Sequence, residues 1–235
     1  MLIGAPIEVP EWVNAIAISV GAVQGAMYAS GFRDRKLDLF GVAVIGIATG
    51  LGGGFLRDIL LNRLPVALTE NWYIIAAVIA SLVGMLLARV IRRLDWLITS
   101  LDALALGLYG AIGTSAALVS GLPFVPALFV GVITAVGGGF IRDVLLNMPI
   151  SVMHVGSLYA IAAVMGSATM LILNNASVGL EISAPVCVAV TTVVRLLAVR
   201  FGWSLPEQRA LKSIRQPKLI RPTDATGPID TARDL

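Results

Sequence analysis

Two stretches decide the reading of this chain: Gly52-Gly-Gly-Phe-Leu-Arg-Asp-Ile-Leu-Leu-Asn62 and Gly137-Gly-Gly-Phe-Ile-Arg-Asp-Val-Leu-Leu-Asn147. They are the same eleven residues with two conservative changes. The register extends upstream, where Gly46 matches Gly131 and Thr49 matches Thr134. Phe-x-Arg-Asp-x-Leu-Leu-Asn is too specific for low complexity, so the chain carries an internal duplication.

The surroundings of both copies are apolar. Of 235 residues, 57% are hydrophobic and 13% charged, with a mean hydropathy of +0.90. Soluble domains carry about 25% charged residues, so the expected solvent is a bilayer. The formal charge is only +3. Basic residues gather at Arg33–Lys36, at Arg89–Arg93 and from Arg195 onward, a pattern of membrane flanks rather than of a nucleic-acid surface. One cysteine, Cys187, excludes an internal disulfide or a cysteine metal cluster. His154, the only histidine, has no partner ligands in sequence, and no metal or cofactor is expected. No nucleophile with a base and no phosphate-cradling loop appears, so an enzyme is not expected.

A helix needs about 20 mostly apolar residues to cross a bilayer. Seven segments qualify: 12–30, 39–61, 72–91, 102–120, 125–147, 157–173 and 185–201. The first is a retained span rather than a signal peptide, because Glu8 and Glu11 precede it and no basic residue comes before Arg33. Residues 1–11 form an N-terminal segment, 12–91 a first three-helix unit, 102–173 a second, and 185–203 a seventh helix. Pro185 is read as separating spans six and seven. From 204 to 235 the chain is polar, Pro-rich and basic, a flexible tail. Lys and Arg fall in alternate loops, which puts the N-terminus outside and the C-terminus in the cytoplasm.

The two copies lie on spans two and five. A unit of three spans is odd, so the second copy enters the membrane from the opposite side. The architecture is all-α, a three-plus-three inverted-topology repeat with a seventh helix outside it.

Glycine weakens a helix by about 1 kcal/mol relative to alanine. The triplets Gly52–Gly54 and Gly137–Gly139 are therefore expected to kink or break spans two and five and bare carbonyls to a water path. Gly46, Gly50 and Gly54 form an i, i+4, i+8 stripe, as do Gly131, Ala135 and Gly139, suited to close helix packing. Thr49, Gly53 and Arg57 form an adjacent stripe, matched by Thr134, Gly138 and Arg142. Charges inside a span are costly. Arg57 and Asp58 point about 100° apart on a helix, so the expected pairing is across the pseudo-two-fold axis, Arg57 with Asp143 and Arg142 with Asp58. Asn62 and Asn147 lie four residues after each Asp and are placed to donate to it. Weaker polar candidates are Gln24, Tyr28, Asp102, Tyr109, Thr114 and Ser115; Gly25 and Gly110 read as packing positions.

Seven spans, the inverted repeat, the glycine triplets and the R-D-[IV]-L-L that follows resemble the prokaryotic relatives of the trimeric intracellular cation (TRIC) channels. The sequence is also similar to the bacterial membrane proteins named for a glycine-transporter domain, one three-span unit each. The resemblance covers residues 12–203. It implies a homotrimer in the prokaryotic cell membrane, with one lipid-embedded pore per protomer that passes monovalent cations, chiefly potassium. It carries over Gly52, Gly53, Gly54, Arg57, Asp58, Gly137, Gly138, Gly139, Arg142 and Asp143 as pore or gating residues. Animal members read Lys-Glu-Val after the glycines, a step associated with phosphoinositide. Arg-Asp here suggests an internal ion pair at least as much as a lipid site. The alternative is a secondary carrier for glycine or a small amino acid, with arginine on the substrate carboxylate. No TVGYG-type filter is present, so sharp potassium-over-sodium selectivity is not expected.

Overall fold

The structure is a computed structural model that describes residues 10–31, 37–90, 94–153 and 158–204. Residues 1–9 of the N-terminal segment, Arg33 to Lys36, Arg92, Arg93, His154 and the tail from 205 lie outside the described residues. Seven α-helices follow one another: α1 (Glu11–Gly31), α2 (Leu39–Leu60), α3 (Asn71–Val90), α4 (Leu94–Val119), α5 (Phe124–Leu145), α6 (Tyr159–Asn175) and α7 (Leu180–Phe201). A single 3₁₀ turn, Val66–Leu68, links α2 to α3. No strand occurs among the described residues.

Six helices are long and apolar enough to cross a membrane; α6, with 17 residues, is shorter but equally apolar in character. At about 1.5 Å per residue, 17 residues rise about 25 Å, close to the hydrocarbon thickness. The exposed surface is rich in large apolar side chains, among them Phe40, Ile59, Ile79, Leu86, Val125, Phe129 and Phe201. That inverts the rule for soluble surfaces and suits lipid. The chain is a multi-pass membrane protein.

Two helix starts and one expected break differ from the sequence reading. α4 starts at Leu94, not near 102. Its polar first turns survive because Thr99 and Ser100 donate their hydroxyls back to Asp95 and Trp96 carbonyls. α7 starts at Leu180 and contains Pro185. Proline there removes one hydrogen bond in the second turn without ending the helix. The glycine triplets do not break their helices: α2 and α5 run uninterrupted through Gly52–Gly54 and Gly137–Gly139. Packing against a neighbouring backbone offsets the weak helix propensity of glycine.

The ends of α2 and α5 are built alike. Arg63 N–H donates to the Asp58 carbonyl and Asn62 N–H to Ile59; Met148 donates to Asp143 and Asn147 to Val144. This is the Schellman arrangement, which needs a left-handed residue just past the helix. Asn62 and Asn147 supply it, each at φ 51°. The asparagines thus serve the backbone; Asp58 and Asp143 accept from arginine and from backbone N–H groups, not from the asparagine side chains, contrary to the sequence reading.

At the centre α2 crosses α5. A Cβ on Gly53 would strike the Thr134 carbonyl, and one on Gly138 would strike the Thr49 carbonyl. A Cβ on Gly52 would lie 2.6 Å from Ile141 Cδ1, and one on Gly137 2.7 Å from Leu56 Cδ1. These contacts are reciprocal: as numbers rise along α2, those of the facing α5 residues fall. The two helices are antiparallel and related by a local two-fold. The flanks are less symmetric. α1 packs directly on α3, whereas α7 inserts between α4 and α6 and packs on both. α7 has no counterpart in the first unit.

Candidate functional site

The two Arg-Asp steps are buried, with Arg57 5%, Asp58 3%, Arg142 3% and Asp143 1% exposed. Each arginine binds its own neighbour, not the other copy. Arg57 Nε donates to Asp58 Oδ1 at 2.7 Å and Nη2 to Oδ2 at 3.0 Å, a bidentate pair. Arg142 Nε and Nη2 both donate to Asp143 Oδ1, at 3.0 and 2.8 Å. The expected cross-axis pairing is therefore corrected. The 100° between adjacent residues separates only the Cα–Cβ directions. A guanidinium on a long stem curls around the helix to reach the next residue, and its planar fork matches a carboxylate.

The second oxygen of each aspartate ties down the chain beyond the helix. Asp58 Oδ2 accepts from Val66 N–H at 2.9 Å, and Asp143 Oδ2 from Ser151 N–H at 2.8 Å. Each acid is eight residues upstream of its donor, so one carboxylate neutralises the arginine and closes the re-entry turn.

The third partner distinguishes the two sites. Arg57 Nη1 donates to Asn14 Oδ1 on α1 at 3.4 Å. Arg142 Nη1 donates to Asp102 Oδ1 on α4 at 3.3 Å. Asp102 also accepts from Tyr159 O–H at 3.4 Å, and its other oxygen lies 3.7 Å from Arg195 Nη2 on α7. The Arg142 guanidinium sits 4.2 Å above the Tyr28 ring, and that of Arg195 4.7 Å above Tyr159. The first site is one ion pair beside a neutral amide. The second is two arginines and two aspartates under two aromatic rings, formally neutral and out of water.

A cavity of about 170 Å³ opens at the first site, lined by Asn14, Arg57, Asp58, Arg63, Ser115 and apolar neighbours. Arg63, at its rim, donates to Ser120 Oγ at 2.8 Å. The pairs thus sit at opposite ends of the antiparallel α2–α5 crossing.

The remaining sequence candidates fall mainly into helix seams. Thr49 and Thr134 are buried, and their hydroxyls donate to the Ile45 and Val130 carbonyls of their own helices. Gly46 and Gly50 meet α1, where a Cβ would lie 2.9 Å from the Ala22 carbonyl and 2.7 Å from that of Ile18. Gly54, third in that stripe, has nothing within 4 Å. Gly131 faces Thr114 and Ser167, Gly139 faces the Tyr159 hydroxyl, and Ala135 belongs to a core with Leu106, Val136 and Tyr159. Gly25 packs on the Thr49 side chain, and Gly110 lies near Ser167 and Cys187. Tyr109 donates its hydroxyl to the Gly50 carbonyl. Tyr28 donates to Met148 Sδ at 3.5 Å. Gln24 is buried with no partner for Nε2.

Three participants, Asn14, Tyr159 and Arg195, were not legible as site residues. Asn14 reads as one polar residue in an apolar span. Arg195 reads as the start of a basic flank, yet it is only 8% exposed. The available signal was spacing, because Ser183, Cys187, Thr191 and Arg195 recur every four residues along α7.

Comparison with known proteins agrees with this fold. The family profile described as "Glycine transporter" matches twice, over residues 11–89 and 99–175, one match per three-helix unit. The UPF0126 inner membrane protein YadS of Escherichia coli (strain K12) is 33% identical over 198 residues, 83% of this chain and 94% of that protein. A UPF0126 membrane protein of Vibrio cholerae is 34% identical, over 83% of this chain and 80% of its own. Among solved structures, one described for conductance through TRIC cation channels aligns at TM-score 0.74 and 34% identity, covering 85% of this chain and 97% of that one. The TRIC orthologue from Rhodobacter sphaeroides aligns at TM-score 0.76 and 27% identity, covering 82% and 98%. The first two are described as membrane proteins and the two solved structures as TRIC channels. The chain belongs to the glycine-transporter-domain (UPF0126) membrane protein family and has the fold of the TRIC cation channels.

Proposed function

We propose that this protein is a cation channel of the bacterial cell membrane, assembled as a homotrimer with one pore in each protomer and embedded in lipid. The observation that carries the reading is the pair of buried, internally neutralised Arg-Asp sites at the two ends of an antiparallel α2–α5 crossing. It is supported by likeness to solved TRIC cation channels over most of both chains. In the membrane the two units form an inverted-topology repeat, with the N-terminus outside and the C-terminus in the cytoplasm, as the basic loops require.

The glycines meet backbone to backbone here: a Cβ on Gly137 would sit 3.2 Å from Gly53 Cα. The crossing is shut at that point. Opening parts α2 from α5, and the smooth glycine surfaces let the helices slide without unlocking side chains. Gly52, Gly53, Gly54, Gly137, Gly138 and Gly139 then serve as the moving contact, with Thr49 and Thr134 beside it. Arg57–Asp58 and Arg142–Asp143 act at the mouths. Each guanidinium sets the local potential a cation meets, and each carboxylate keeps that charge neutralised in the shut state. Potassium is the expected ion, weakly selected over sodium.

The family description favours a second reading, a carrier for glycine or a small amino acid. The test uses purified protein in potassium-loaded liposomes, with ion flux followed with and without a potassium ionophore and labelled glycine uptake measured in parallel. Passive potassium flux that changes in Arg57→Ala and Arg142→Ala, without glycine uptake, supports the channel. Saturable, gradient-driven glycine accumulation without a potassium leak refutes it and makes the arginines substrate ligands.

A further inference from the structure

Buried side-chain atoms without a hydrogen-bond partner are concentrated in one seam. Among the described residues they are Thr114 Oγ1, Ser167 Oγ, Ser183 Oγ, Thr191 Oγ1, Arg195 Nε and Nη1, and Gln24 Nε2. All but the last belong to α4, α6 and α7, the three helices that meet because α7 wedges between the other two.

The α7 members share a face. Ser183, Cys187, Thr191 and Arg195 are spaced by four and are 0%, 0%, 0% and 8% exposed. Across from them α4 runs antiparallel. Asp102 meets Arg195 at one end, and a Cβ on Gly110 would lie 4.0 Å from Cys187 Sγ and 3.5 Å from Ser167 Oγ in the middle. Thr114 and Ser167 face each other over Gly131, and Thr191 abuts Gly166. From Ser183 to Arg195 the stripe rises about 18 Å, more than half the roughly 30 Å hydrocarbon core.

Elsewhere the protein treats its helical hydroxyls differently. Ser30, Thr49, Thr99, Ser100, Ser120, Thr134 and Thr169 all donate to the carbonyl four residues back. Thr114, Ser167, Ser183 and Thr191 make no such bond. The first unit has no equivalent. Where Thr114 and Ser167 face Gly131, the first unit sets Ala26 and Ser81 against Gly46, and Ser81 donates to the Ala43 carbonyl. A buried polar group without a partner costs about as much as a lost hydrogen bond, and seams that keep several such groups hold water.

We propose that the α4–α6–α7 seam binds a file of water molecules, a hydrated branch separate from the α2–α5 crossing that ends on the Asp102–Arg195 pair. Gly131 and Gly166 leave room for the Thr114 and Thr191 hydroxyls, which sit close to where a Cβ would lie. The Arg195 guanidinium, with Nε and Nη1 turned to the file, donates to its last water and repels any cation that enters. The branch is independent of whether the protein passes potassium or glycine.

The chain supplies its own reporter, because Cys187 is the only cysteine and lies mid-seam, fully buried. Full-length protein in lipid nanodiscs is moved from H2O to D2O and the S–H stretch of Cys187 is followed by infrared spectroscopy. The expected result is conversion to S–D within minutes, slowed on the order of tenfold by Ser167→Ala with Thr191→Val, the equivalent of about one lost water hydrogen bond. Ser167→Ala alone, which leaves Thr191 beside the thiol unchanged, gives the same comparison should the pair not fold. An S–H band that persists for hours in the wild type overturns the proposal. So does exchange that is equally fast in the folded variants, since water then arrives by general breathing rather than along the hydroxyls.

Discussion

Gly53 and Gly54 are neighbours in one helix, yet alanine should act on them in opposite directions. In both places alanine gains helix propensity, about 1 kcal/mol. At Gly54 nothing lies within 4 Å of the new methyl, so Gly54→Ala should be stabilising by up to that amount. At Gly53 the methyl meets the Thr134 carbonyl and lies 3.5 Å from Tyr109 Cδ1. A backbone oxygen on a packed helix cannot rotate aside, so α2 and α5 must separate along the crossing. Over-packing of this kind costs roughly 1–3 kcal/mol. The propensity gain is common to both variants and cancels in their difference, leaving the packing cost alone. For a domain of this size about 1 kcal/mol moves Tm by roughly 2–4 °C. Gly53→Ala should therefore melt on the order of 2–12 °C below Gly54→Ala, measured by thermal unfolding of the purified protein in one detergent. Gly138→Ala should repeat the loss, because it meets the Thr49 carbonyl. Equal melting temperatures for the Gly53 and Gly54 variants would refute the backbone crossing described here.

Asp58→Asn should be severe, since it leaves the buried Arg57 guanidinium without its countercharge, a loss of roughly 3–5 kcal/mol. The double variant Arg57→Leu with Asp58→Leu should melt higher than Asp58→Asn; a lower Tm for the double variant would contradict the pairing. Asn62→Val should destabilise by roughly 1–2 kcal/mol because a β-branched residue resists φ 51°, while Asn62→Gly should be close to neutral, both read as Tm. Tyr109→Phe removes the hydroxyl bond to the Gly50 carbonyl and should cost about 1 kcal/mol; an unchanged Tm would show that this bond contributes nothing net.

Much of the fold is legible because lipid leaves few options. Every backbone polar group must be satisfied within the chain, so apolar stretches of spanning length become helices, and α1, α2, α3 and α5 begin and end within two residues of their expected limits. The misplaced starts are those of α4 and α7, where helix continues through polar residues or past a proline. Hydropathy marks where lipid begins, not where hydrogen bonding does. The glycine triplets stand out in the sequence, yet the helices run through them unbroken. Propensity predicts a weak helix; the facing backbone turns the same missing side chains into a contact surface.

The site divides along the same line. The duplicated Arg-Asp step, its burial inside a span and the antiparallel relation of its two copies follow from sequence, because an odd number of crossings reverses direction. The partner of each arginine did not follow. Angular spacing on a helix describes where side chains start, and the reach of a guanidinium decides where they end. Nor could the sequence show that α7 is wedged between α4 and α6, since nothing in the repeat specifies where an unrepeated helix goes. That placement alone brings Arg195 to Asp102 and gives the second site a charge set the first lacks. Sequence determined what had to be buried; which buried groups met was decided by the packing of helices far apart in the chain.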